Sequence, residues 1–195
     1  MILMKLEKEI EEKLIQTIKE IFVEDDWDLR HTFSAVSAMK KIIAKEGGCE
    51  RVLVPVMYLH DIGYVGALKT CYSLEDRIKA KAGHMERGSK LAKEILSKLN
   101  FSPEEIEKIV YLISVHDKLD DLKSRDELLV LEADSLAQID PFVGNTFGEE
   151  EFAKYVKIFE ERRAPKFVTR AGKELLSEYI QKNELFRKFA KKSKK

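Results

Sequence analysis

Residues 4–23, MKLEKEIEEKLIQTIKEIFV, place Leu6, Ile10, Leu14, Ile18 and Ile21/Phe22 on one stripe among Glu and Lys. That i, i+4 spacing is the period of an amphipathic helix, with one face for a core and the rest for water. The same period runs almost to the end of the chain. A second helix is expected from Trp27 or Asp28 to about Lys45, closed by Gly47-Gly48. A third is expected over 50–61, with Pro55 in its first turn and Gly63 as a C-terminal stop. Capping boxes at Ser73-Leu74-Glu75-Asp76, Ser102-Pro103-Glu104-Glu105 and Ser124-Arg125-Asp126-Glu127 predict helices near 75–99, 103–116 and 125–139. Further helices are expected at 148–163, at 170–182 and from 184, ahead of a frayed lysine tail over 191–195. The segments 63–72, 117–123 and 140–147 read as loops. The fold expected is all-α.

Composition sets bounds on function. The 195 residues hold 35 basic and 35 acidic side chains, so there is no basic field of the kind that nucleic-acid polymers require. Hydrophobic residues make up 44%, enough to exclude wholesale disorder and to fill one core without disulfides. No apolar run approaches the ~20 residues of a membrane span, and the N-terminus offers no signal segment. Cys49 and Cys71 form no CxxC pair, which fits a reducing, cytoplasmic setting. A P-loop and an HExxH motif are both missing from the sequence, which argues against a P-loop kinase and a zinc protease.

The polar residues that stand out are four histidines: His31, His60, His84 and His116. Two precede aspartates, as His60-Asp61 and His116-Asp117, where composition alone predicts well under one such pair. His60 continues the apolar stripe of Val52, Val56 and Met57 and so points inward. Asp61 falls on the last turn of that helix, where the dipole disfavours a carboxylate by ~0.3–1 kcal/mol. Burial without a partner would cost more, and a cation would offset both. Asp134 raises the same question, because Val130, Leu131 and Ala137 share its helix face. Each residue alone has a plainer reading: a satisfied core histidine, a helix end entering a polar loop, or an acid paired with Arg or Lys. Together they form a nitrogen and oxygen donor set suited to Mn, Fe, Ni, Co, Zn or Mg, converging from several helices.

The order His31 … His60-Asp61 … Asp134 resembles the H…HD…D signature of the HD-domain superfamily of metal-dependent phosphohydrolases. DLRHTFSAVSAMKKIIAKEG resembles the family's first motif helix and VPVMYLHDIGY its second. AGHMERGSKLAKEIL, with His84 and Gly88 at H-x-x-x-G spacing, resembles a third-histidine segment; IVYLISVHD and LLVLEADSLAQID resemble the last two. The likeness spans about 25–140. The length suggests a single domain over 1–195; the resemblance implies an HD-like core at 25–140, with flanking helices at 1–23 and 145–195. By the resemblance, His31, His60, Asp61 and Asp134 hold one divalent metal. His84 and His116 stand where two-metal members bind a second ion, with Asp61 bridging. Asp117 stands where the HD-GYP subgroup has a histidine, and Lys118-Leu119-Asp120 replaces the GYP that follows there.

The activity implied is hydrolysis of a phosphate ester or anhydride of a small phosphorylated compound, a nucleotide first, by metal-activated water. Asp61 is the expected catalytic ligand. Asp117 is the first choice for protonating the leaving group, with Tyr64 behind it. For the substrate's phosphate, Lys118 comes first because it directly follows His116-Asp117, Arg87 second because it stands three residues after His84 on the same helix face, and Arg30 third because it adjoins His31 but points about 100° away; Arg162, Arg163 and Lys166 could reach the site from the C-terminal region, with nothing in the sequence to bring them there. Trp27 reads as core packing ahead of the second helix rather than as a platform for a base. A membrane or a nucleic-acid polymer is not expected as partner, and homo-oligomers stay open. A non-catalytic metal- or nucleotide-binding regulatory module, and a plain helical scaffold, are the competing readings.

Overall fold

The computed structural model describes residues 5–65, 75, 80, 81, 83–145 and 148–190. Among them the regular structure is helical throughout, with no strand, so the fold is all-α. The long helices are α1 (Lys8–Ile21), α2 (Asp26–Glu46), α3 (Glu50–Leu59), α4 (His84–Leu96), α5 (Pro103–Val115), α6 (Arg125–Gln138), α7 (Glu149–Ile158), α8 (Arg170–Lys182) and α9 (Glu184–Ala190). None is long and apolar enough to cross a membrane.

The helix boundaries follow from local chemistry. In α1, Ile10, Leu14 and Ile18 are buried, as the stripe requires. Complete burial of Leu14 and Ile18 contributes roughly 1.5–3 kcal/mol each. The Asp25 side chain accepts from the Asp28 N–H at 2.9 Å and starts α2; Gly47 ends it at φ 76. Two of the three expected capping boxes fall among the described residues and form, at Ser102 with Glu105 and at Ser124 with Glu127. The box expected at Ser73 and the tail over 191–195 lie outside the described residues, as do most of the 63–72 loop and Cys71.

Three expectations need correction. Pro55 lies in the second turn of α3, since the helix already begins at Glu50. Gly63 does not end a helix with left-handed backbone. It lies within a short 3-10 turn, Ile62–Tyr64, and is small for another reason: a Cβ there would sit 1.9 Å from the His84 carbonyl oxygen. Gly88 faces it, so two glycines let this turn lie directly on α4. The helix expected over 75–99 is interrupted at Gly83, whose φ of 79 breaks the helical backbone just before His84.

After Ile158 the chain widens into a π turn, Phe159–Arg163, followed by a 3-10 turn, Ala164–Lys166. Pro165 has no N–H for the carbonyl of Glu161 and its ring crowds that group, so a regular α ladder cannot continue. The wider turn buries both Phe159 and Arg163. Downstream, Glu132 of α6 is fully buried and accepts from the N–H groups of Val168 (2.7 Å) and Thr169 (2.9 Å) at the start of α8. Helices α1, α3, α5, α7 and α9 all feed one core, which includes Leu14, Met57, Ile109, Phe159 and Phe186.

Candidate metal centre

His31 comes from the second turn of α2, and His60 and Asp61 follow the last residue of α3. His84 opens α4, His116 and Asp117 follow α5, and Asp134 lies on α6. All six of the expected ligands, His31, His60, Asp61, His84, His116 and Asp134, are buried and converge. Helices α3 and α5 both aim their C-terminal, negative dipole ends at this place, which favours a cation there.

The donor atoms separate into two groups. In the first, His31 Nε2 lies 3.1 Å from His60 Nε2, 3.1 Å from Asp134 Oδ1 and 3.5 Å from Asp61 Oδ2. His60 Nε2 lies 3.4 Å from Asp61 Oδ2 and 3.6 Å from Asp134 Oδ1. In the second, His84 Nε2 and His116 Nε2 are 3.4 Å apart, and lie 3.8 and 3.5 Å from Asp61 Oδ1. Ligands held ~2.1 Å from one ion stand ~3.0–3.4 Å apart in octahedral or tetrahedral arrays. Both groups therefore fit a divalent metal, and Asp61 offers one oxygen to each.

The atoms behind the donors fix their orientation. The Nδ1–H groups of His60, His84 and His116 donate to the carbonyls of Met57 (2.9 Å), Lys81 (2.8 Å) and Ile113 (2.8 Å). Each bond turns Nε2 toward the centre, where its lone pair is available to a metal once any proton there has left. His31 Nδ1 has no such partner among the described residues; its ring stacks on Trp27 at 5.3 Å. Tyr64 stacks on His84 at 4.4 Å.

Burial penalises charge here, yet the carboxylates stay ionised. Burial pushes the Asp134 carboxyl up, but Arg163, His31 and His60 together hold it well below its ordinary value. The same balance, with His60, His116 and His31 opposing burial, lowers Asp61. Burial pushes His84 down. Burial would push His60 down too, but Asp61 and Asp134 outweigh it and raise its imidazole to about 9.

The other expected residues take different places. Asp117 is beside the second group, its Oδ2 3.7 Å from His84 Nε2. Burial opposes its ionisation, but Arg163, His116 and Lys81 prevail and lower its carboxyl. Lys118, first choice for phosphate, is exposed, and its side chain pairs with no carboxylate among the described residues. Arg87 donates to the Gly63 carbonyl at 3.0 Å and so braces the Gly63 turn against α4. Arg30 donates to the Val143 carbonyl at 3.2 Å. Trp27 lies inside α2, half-buried, with its indole N–H 3.3 Å from the Gly144 carbonyl, so it is not the apolar residue ahead of a helix that was expected.

Of two further cations at the centre, Arg163 stood only among those that could reach it from the C-terminal region, and Lys81 was not foreseen. Arg163, buried, donates to Asp134 Oδ2 at 2.8 Å, to Ser135 Oγ at 3.0 Å and to Asp117 Oδ1 at 2.6 Å. Lys81 lies 2.9 Å from Asp117 Oδ2. The helix spacing that singled out Arg87, three residues after His84, applies equally to Lys81, three before it. No local signal marks Arg163. Comparison with family models, with curated proteins and with solved structures gave no match.

Proposed function

We propose that this protein is a metal-dependent phosphohydrolase acting on a small phosphorylated compound, with nucleotides the first class to test. The observation that carries the reading is Asp61, whose two carboxylate oxygens face two separate groups of imidazole Nε2 atoms. The resemblance of the motif order to HD-domain phosphohydrolases supports it, and supplies the nucleotide preference.

His31, His60, Asp61 and Asp134 would hold one divalent ion, and Asp61, His84 and His116 a second. Bound there, such ions lower the pKa of water from 15.7 to roughly 7 and draw charge from phosphoryl oxygens. The chain's own residues supply the rest. Arg163 and Gln138 hold the Asp134 carboxylate, the latter at 3.1 and 3.2 Å, so that its orientation is set before any ligand arrives. Tyr64 and Trp27 cover the outer faces of His84 and His31.

The test is a phosphate-release screen over nucleotides and simple phosphoesters with Mn²⁺, Co²⁺, Ni²⁺, Zn²⁺, Fe²⁺ and Mg²⁺ varied. Turnover that depends on metal and vanishes in Asp61→Ala is expected. Stoichiometric metal without phosphate release from any ester would leave a non-catalytic binding module instead.

A further inference from the structure

We propose that Lys81 is the residue that grips the substrate's phosphoryl oxygens, exchanging Asp117 for the phosphate when an anion enters. The proposal rests on the phosphohydrolase reading and adds to it a residue for recognition.

Lys81 is placed by the metal centre itself. Its carbonyl accepts from His84 Nδ1 at 2.8 Å, so its backbone is fixed one turn from a donor of the second group. Its ammonium lies 2.9 Å from Asp117 Oδ2, and that same oxygen is 3.7 Å from His84 Nε2. The cation therefore stands at the edge of the second imidazole pair. Unlike the ligands, it is 40% exposed along its side chain, so solvent and solutes reach it.

The two cations on Asp117 are unequal. Arg163 is 8% exposed, lies 2.6 Å from Asp117 Oδ1 and also holds Asp134, so it is committed. Arg163 alone keeps Asp117 paired. Lys81 can leave without stranding a buried carboxylate, and its four-carbon stem gives the ammonium freedom to turn. Asp117 is thus a resting partner for Lys81, and a phosphate dianion between Lys81 and the metal-bearing face is a stronger one. The other candidate cations are spent or remote: Arg87 and Arg30 bond backbone carbonyls, and Lys118 is at the surface.

The experiment measures binding of inorganic phosphate to metal-loaded protein by calorimetry, with metal content counted in every sample. Lys81→Met is expected to weaken phosphate about tenfold to a hundredfold, the loss of a charge-assisted contact. It should keep the wild-type metal count, while Lys81→Arg recovers most of the affinity. In turnover, Lys81→Met should raise KM more than it lowers kcat. Wild-type phosphate affinity in Lys81→Met would overturn the proposal. So would loss of metal from that variant, which would assign Lys81 to building the centre. Wild-type protein that binds metal but no phosphate would overturn it as well. Phosphate binding is read without turnover, so an inactive protein that still binds phosphate through Lys81 would sink the hydrolase reading alone.

Discussion

Gly63→Ala tests how the second ligand group is assembled. An alanine Cβ would sit 1.9 Å from the His84 carbonyl oxygen and 2.7 Å from the Gly88 nitrogen, both backbone atoms. Ordinary contact begins near 3.4 Å, so the start of α4 must retreat by about 1.5 Å. His84 Nε2 is now 3.8 Å from Asp61 Oδ1 and would move to about 5 Å. Two ligands of one ion at ~2.0–2.2 Å are at most ~4.4 Å apart, so His84 and Asp61 could no longer share a metal. The first group includes no atom of α4 and should survive. The expected cost is ~1–3 kcal/mol of stability, as for overpacking elsewhere. Metal analysis after dialysis should find two ions per wild-type chain and one per Gly63→Ala chain, with helical circular dichroism retained. Gly88→Ala is the milder control, since its Cβ would meet Gly63 N at 3.3 Å. A folded Gly63→Ala that kept two ions at wild-type affinity would refute the reasoning.

Asp61→Ala should lose both ions together with activity, because one carboxylate serves both groups; full retention of either ion by metal analysis would end the bridging assignment. The metal-free centre should bind a proton where the metal goes: His60, raised to about 9, is charged at neutral pH. Metal affinity should therefore climb about tenfold per pH unit up to about pH 9, and calorimetry near pH 7 should detect about one proton released. An affinity flat between pH 6 and 8.5 would refute it. Because the folded value lies above the unfolded ~6.5, this proton stabilises the metal-free protein by roughly 3 kcal/mol below that pH. That stabilisation is lost as pH rises through about 9, and metal-loaded protein should show the opposite trend. Arg163→Met leaves Asp134 and Asp117 buried without their shared cation and should cost ~3–5 kcal/mol in denaturant unfolding; a loss under about 1 kcal/mol would show that the pairing adds little.

Much of the fold can be read from the sequence because its signals are local. Helix stripes, the Ser102 and Ser124 caps and the Gly47 stop each act within a few residues, and the structure forms them all. The convergence of these histidines and aspartates was legible for a related reason: such groups on apolar faces cost energy wherever the chain goes, so they mark a place where partners must meet. Gly63 shows where local reading fails. Its smallness answers to His84, 21 residues away, and no helix-stop rule contains that distance. Arg163 fails similarly: as one arginine among 35 basic residues, it is distinguished only by the π turn that buries it against Asp134. Lys118 was favoured for adjacency to His116-Asp117, but a neighbour in sequence just past a helix end points away as easily as toward the site.

The charges explain why the C-terminal helices belong to the centre even though the motif likeness stops near residue 140. Three carboxylates, the buried Asp61 and Asp134 and Asp117 with its side chain 6% exposed, face the fixed Arg163 and the more exposed Lys81. Asp61 and Asp134 raise the His60 imidazole, and a proton there would close the balance in the metal-free protein. Without Arg163 the core over 25–140 would carry a net buried negative charge, and folding would have to protonate a carboxylate or take up metal at once. With it, the centre is neutral and assembled before any ion arrives. On the proposed reading, a first divalent ion would displace the His60 proton and leave the centre positive, and a second would make it more so. On the phosphohydrolase reading, that excess is what a phosphate dianion neutralises. On that reading the arginine from the π turn would set the centre's charge so that metal uptake, and not folding, creates the attraction for substrate.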